Sequence, residues 1–207
     1  MPLATPKGIT VPFPDRLAEG YEVNARKSGG YHLLVNIDGT RLEHVFRDLV
    51  ELVPDPGFLI LETPCNEVKE LELRTTDSDP FHRDIYYIDG LERYQFLEIF
   101  NEYSDLLVHD GFVHFGFGSH NTEQKDEVFV EGYKIVSIFT DDPSPYDTAL
   151  SGHKIPRVSK LTTAWDTFSE EHPGVRNRWR QGEIDIYSMI ESLMRERGLY
   201  HAKTISD

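Results

Sequence analysis

The chain has 207 residues, the length of one domain with a sizeable buried core, and carries 36 acidic against 21 basic side chains for a formal charge of −15. A field of that sign repels nucleic-acid phosphates and anionic lipid, and attracts a basic protein. No apolar run approaches the ~18–20 residues of a membrane helix, the N-terminus has no secretory h-region, and the lone Cys65 excludes an internal disulfide and any Cys-rich zinc site. A cytoplasmic setting is therefore expected. The charge is uneven: residues 1–30 and 151–207 are each +1, whereas residues 31–150 are −17.

Residues 1–29 hold four prolines and no clear period, which reads as an extended N-terminal arm. Alternation over 31–38 predicts a strand. Asp38-Gly39-Thr40 then forms a turn, with Thr40 and Glu43 spaced as a capping box. Residues 41–53 place Leu42, Val45, Phe46, Leu49 and Leu52 or Val53 at helical spacing. "FLILET", 58–63, is a continuous apolar strand of the sheet centre. "NEVKELELR" alternates imperfectly and is read as a strand over 68–74. Residues 83–89 form another strand, with Ile85 and Tyr87 on one face. A long helix follows over 91–107, with Leu91, Tyr94, Leu97, Ile99 or Phe100, Tyr103, Leu106 and Leu107 on one stripe and Gly111 as its cap.

The next strand is 112–117, and a polar turn leads to strands 127–131 and 133–140, with a turn or bulge at Glu131-Gly132. A short helix is expected from Ser144 and Pro145 to Gly152. Another is expected around Leu161, Ala164, Trp165 and Phe168, and a last one with Ile186, Met189 or Ile190, Leu193 and Met194, closed by Gly198. The order over 31–117 reduces to β-α-β-β-α-β, so the fold class is α+β: an antiparallel sheet with a ferredoxin-like core, extra strands and C-terminal helices. The reading is one domain over 1–207, with the arm at 1–29, the sheet-helix core at 31–140 and a helical extension at 141–207.

The stretch "HDGFVHFGFGSHN" holds His109, His114 and His120 among its glycines. Spread along helix end, strand and turn at ~3.3 Å per residue, these histidines do not converge on one metal. One cysteine and no close histidine pair on a helix give no structural metal, and no cofactor is expected. "GFGSHN" lacks the Lys-Ser/Thr ending of a phosphate loop, so its glycines are read as close packing and a turn. Within the strand, Phe112, His114 and Gly116 share one face and Val113, Phe115 and Phe117 the core face. Tyr86 is placed with Phe112 and His114 on the open sheet face, unless residues 141–207 cover it.

Asp141-Asp142, Asp77/Asp79 with His82, and Glu170-Glu171-His172 read as solvated turn carboxylates. Cys65 lacks the electropositive setting of a nucleophile. "VRNRWRQG", with Arg176, Arg178 and Arg180, is the only basic cluster, suited to clamping an anion or to pairing with the acidic centre. The expected function is a non-enzymatic acidic binding protein, such as a bacterial immunity-type inhibitor of a basic toxin, with Glu98, Glu102 and Asp105 on the long helix among its contact residues. The alternative is a small-molecule-binding or hydrolytic site on the sheet face around His114.

Overall fold

The computed structural model describes residues 3–76, 78–119 and 125–206. His120 and Asp77, named above as candidates, lie outside the described residues. In chain order the strands are β1 (Ile9–Thr10), β2 (Gly20–Ala25), β3 (Tyr31–Asn36), β4 (Gly57–Pro64), β5 (His82–Leu91), β6 (His114–Gly118), β7 (Glu127–Val130), β8 (Val136–Thr140), β9 (Val175–Arg176) and β10 (Tyr200–Ser206). The helices are α1 (Leu42–Val50), α2 (Glu67–Leu73), α3 (Arg93–His109), α4 (Ser144–Gly152) and α5 (Ile186–Glu196).

Eight strands form one antiparallel sheet in the order β10-β5-β4-β6-β7-β8-β3-β2, and β1 pairs with β9 apart from it. The molecule is α+β, as the element pattern predicts. Its strand order is not that of a split βαβ. Three strands separate β3 from β4, and every strand pair is antiparallel, so the parallel neighbours of a ferredoxin-like core do not form among the described residues.

α1, α3, α4 and α5 pack on the same side of the sheet. Phe46 of α1, Phe96 and Phe100 of α3, Tyr146 and Leu150 of α4, and Met189 and Leu193 of α5 share one core with Leu61, Phe115 and Phe117 of the strands. The two C-terminal helices thus join the first two instead of covering the opposite face. α1 buries the predicted stripe and ends at Val50. Its N-cap is Arg41, without a side-chain cap, because Asp38 Oδ1 takes both the amide and the hydroxyl of Thr40. α3 begins at Arg93 behind a capping box of Glu92 and Gln95, leaving Leu91 at the end of β5. Its buried stripe includes Phe96, while Tyr94 is 62% exposed.

Several segments depart from the sequence expectations, among them β10, a strand where only a helical extension is expected. Residues 20–25 form a regular strand instead of part of an arm, pairing with β3. Residues 67–73 form α2, because Asn66 Oδ1 accepts from the Lys69 amide and the run is rich in Glu, Lys and Leu, good helix formers. Around Trp165 only a 3-10 turn forms over Ala164–Thr167, closed by reciprocal bonds of Thr163 and Asp166. The start of the expected strand 133–140 is likewise a 3-10 turn at Gly132–Lys134, with Tyr133 and Lys134 in left-handed backbone at φ 58° and 59°.

The face opposite the helices carries a row of rings. Phe58, Ile60 and Ile85 cluster there with Tyr87 and Phe129. Gly116 and Gly118 are glycines because the rings cross them: a Cβ at 116 would lie 2.8 Å from Phe129 and one at 118 would lie 2.6 Å from Phe58. This is the close packing read from the sequence, not a phosphate loop.

Candidate functional site: a cavity lined by arginines

His114 and Phe115 point to opposite faces of β6. Phe115 is buried against Phe46 and Phe100, whereas His114 Nδ1 lies 3.2 Å from Glu62 Oε2 on the open face. Burial is the main cause that pushes the His114 imidazole down to about 4, against the pull of Glu62. Its Nε2 is buried with no hydrogen-bond partner among the described residues. Tyr86 is not beside it. The register pairs Tyr86 with Leu61, which puts it on the helix side, 5.4 Å from the His201 ring. The strand also starts later than predicted, at His114, so Phe112 sits in the loop between α3 and β6. Of the three α3 carboxylates, Glu98 lies 3.9 Å from Arg197, Asp105 accepts from Trp179 Nε1 at 2.7 Å, and Glu102 makes no ion pair among the described residues.

Phe112 instead belongs to a cavity of about 660 Å³, within the range of small-ligand sites. The end of β4, α2, the loop that follows it and β9 line this space, which is open to solvent on one side. Pro64, Leu71, Phe81 and Phe112 give it apolar walls, and Arg74, Arg176 and Arg178 bring guanidinium groups. Arg176 and Arg178 both lie 4.9 Å from the Phe112 ring centre, and Arg74 lies 4.1 Å from that of Phe81. The lining also carries Glu67 and Glu70 on α2, so the three guanidinium groups outnumber the carboxylates here by one in a chain of charge −15.

Buried groups fix where these cations stand. Asp110 is fully buried at the end of α3; its carboxylate accepts from the amides of Phe112 and Trp179 at 2.9 and 3.0 Å and lies 3.6 Å from Arg178. Arg178 also donates to Tyr187 Oη at 2.9 Å. The main chain of the arginine segment is tied down beside it: the Gly111 amide donates to Asn177 O, and the Asn177 amide donates to Gly8 O. A Cβ at Gly8 would sit 2.2 Å from His109 O, and one at Gly111 would sit 2.4 Å from Gly8 O, so both positions need glycine for this approach. Gly111 is thus a packing glycine; the α3 C-cap is Asp110. Arg176 differs from Arg178. It contacts the Phe112 and Tyr133 rings and has no carboxylate partner among the described residues.

Cys65 lines the cavity, and behind it lies a polar knot on buried Asp84. Asp84 Oδ1 accepts from Lys69 Nζ at 2.5 Å and from Thr204 Oγ1 at 2.7 Å, and lies 2.9 Å from His201 Nε2. Burial favours the neutral acid here, but these bonds outweigh it and hold the carboxyl below its ordinary range. Burial, followed by the Asp84 charge, pushes the Cys65 thiol up to about 12. Cys65 therefore stays protonated and is not a nucleophile. The chemistry this wall offers is recognition: cations for an anion and ring faces for an apolar body.

The sequence singled out the arginine cluster and Phe112, but separately. Nothing in the pattern signals that a loop after β9 meets a loop before β6. No family model matches the chain, and comparison with the curated proteins and with the solved structures gives no match either.

Proposed function

We propose that the chain is a non-enzymatic binding protein for a small organic anion with an apolar body, held in the cavity by Arg176 and Arg178. The observation that carries this reading is Arg176, a guanidinium stacked on Phe112 in a cavity wall with no acidic partner among the described residues. Hydrogen bonds from guanidinium to a carboxylate or phosphate contribute roughly 1.5–3 kcal/mol each, and Leu71 and Phe81 supply apolar contact beside them. A hydrolytic role for His114 has less support, because a base held near 4 is weak at neutral pH and His114 does not line the cavity.

The test is a thermal-shift panel of aryl carboxylates and phosphate monoesters against their neutral amides and alcohols, followed by calorimetry on the hits. Anionic members should bind, and Arg176→Gln or Phe112→Ala should weaken them at least about tenfold, the loss of one charge-assisted contact. Equal binding of the neutral analogues, or an unchanged affinity in Arg176→Gln, overturns the reading.

A second reading, an acidic surface for a basic partner such as a toxin in the bacterial cytoplasm, is favoured by the open sheet face. There Glu62 and Glu127 flank Tyr87 and Phe129, and burial followed by the Glu62 charge raises the Glu127 carboxyl. Carboxylates beside ring faces suit a lysine or arginine side chain.

A further inference from the structure

We propose that His44, Asp48 and His153 form a binding site for a divalent transition-metal ion, best matched to Zn²⁺, that clips α1 to the end of α4. One ligand atom from each of these residues lies within 4.8 Å of the other two, the one such grouping among the described residues. His44 and Asp48 are four apart on α1, so their side chains stand on one face a turn apart. His153 is the C-cap residue of α4, and its main chain is held in place because Arg41 donates to His153 O at 2.6 Å. Asp48 Oδ2 lies 2.9 Å from His153 Nε2 and 3.7 Å from His44 Nε2.

Those separations bracket the ~3.3 Å between donors of a tetrahedral zinc whose bonds are ~2.0–2.1 Å. The His153 side chain is 16% exposed and preset, whereas that of His44 is 73% exposed and free to swing inward. Two imidazoles and one carboxylate leave a fourth position for water, the ligand set of open zinc sites. The two rings stand at 85° with centres 5.3 Å apart, so their nitrogens approach one point from different directions. The nearby Arg41 and Arg47 are paired with Glu19 and Glu43, which lowers their repulsion of a cation. The sequence search for a histidine pair on one helix misses this arrangement, because Asp48 occupies the second helical position and the other imidazole comes from a different helix.

The test is calorimetric titration of ZnCl₂ into the full chain, purified without a histidine tag in a non-chelating buffer, together with melting curves in Zn²⁺ and in EDTA. One equivalent should bind, the melting temperature should rise at saturating Zn²⁺ and return with EDTA, and His44→Ala and His153→Ala should each weaken binding at least about tenfold. Co²⁺ in place of Zn²⁺ should give the visible absorption of a four-coordinate site that both variants lose. No heat and no thermal shift in the wild-type chain overturns the proposal, as does a doubly substituted His44→Ala/His153→Ala chain that folds and still binds one equivalent with unchanged affinity. The cavity arginines are untouched by these variants, so the result is independent of the ligand proposed for that site.

Discussion

The two faces of the sheet use the same residue types to different ends. On the helix side, Phe46, Phe96, Phe100, Phe115 and Phe117 interlock with neighbouring centroids 4.7–6.2 Å apart. Phe115 and Phe117 come from β6 and the other three from α1 and α3 packed on it. On the open side, the Phe129 and Phe58 rings cross Gly116 and Gly118 beside Tyr87, and no helix among the described residues joins their cluster. The first set is packed between sheet and helices, whereas on the second face Phe58 is buried by its neighbours and Tyr87 and Phe129 stay partly exposed. The difference separates what the fold requires from what is left to meet a partner, and aromatic content alone does not reveal it.

The largest expected effect breaks the packed side. Phe115→Ala removes a ring that touches both α1 and α3 and should cost about 3–5 kcal/mol in denaturant unfolding. Phe129→Ala, on the open face, should cost less, about 1–2 kcal/mol, because its ring is only partly buried. Equal losses from the two substitutions would remove the distinction between the faces.

A second measurement probes the edge where the packed core meets the cavity wall. Lys134 is buried, and its Nζ donates at 2.7 Å to Leu107 O in the last turn of α3 and at 2.8 Å to Val113 O in the loop before β6. Burial pushes the ammonium down to about 7, against the pull of Asp110. In the unfolded chain the group keeps its ordinary value near 10.5. Between those values the unfolded state binds more protons at this group than the folded state, so stability should rise with pH from about 7 to about 9 by about 2 kcal/mol; above that the Cys65 thiol, held up to about 12, opposes the rise. Unfolding free energies measured across that window should show the rise, and Lys134→Met should abolish it. A flat profile in the wild-type chain would mean that Lys134 is not buried as described.

How much of this was legible follows from what each segment buries. α1 and α5 are readable because their apolar residues recur at helical spacing and Leu42, Val45, Phe46, Leu49, Ile186, Met189, Ile190 and Leu193 end up at zero to a few per cent exposure; Met194, expected on the same stripe, is 46% exposed instead. α2 is not legible as a helix because no residue of it is buried, so Val68 and Leu71 carry no period that packing enforces. β10 left no signal for the same reason: an edge strand, "YHAKTIS", exposes most of its side chains and has no apolar alternation. The sequence puts Tyr86 and His114 on one face only by assumption, because alternation gives sides only within a strand. Which side of β5 matches which side of β6 depends on pairing through β4, which no local pattern contains. The cavity depends on contacts between Phe112 and residues 176 and 178, and the metal-ligand cluster on a contact between α1 and α4, both far apart in sequence.

The smallest expected effect on stability, and the one that sharpens the comparison of faces functionally, concerns the acidic surface. If a basic partner docks on the open face, carboxylates there and on α3 should act on different rate constants. Glu98 and Glu102 lie on the outer side of α3 and contribute to the long-range field, so Glu98→Lys with Glu102→Lys should slow association several-fold at low salt and lose that effect once screening shortens to about 8–10 Å. Asp105 should be left in place, because it anchors Trp179 and its loss would disturb the arginine wall. Glu127 lies among the rings of the open face, so Glu127→Gln should leave association nearly unchanged and speed dissociation. The α3 double variant should keep the wild-type unfolding free energy within about 0.5–1 kcal/mol, as surface changes do, and Glu127→Gln, which removes a half-buried charge, should not lower it. The measurement is association and dissociation kinetics, at two salt concentrations, with the partner recovered from the native host. A recovered partner that is acidic, or an association rate indifferent to both charge reversal and salt, would remove the docking role from the acidic surface and leave the arginine cavity as the site through which the chain works.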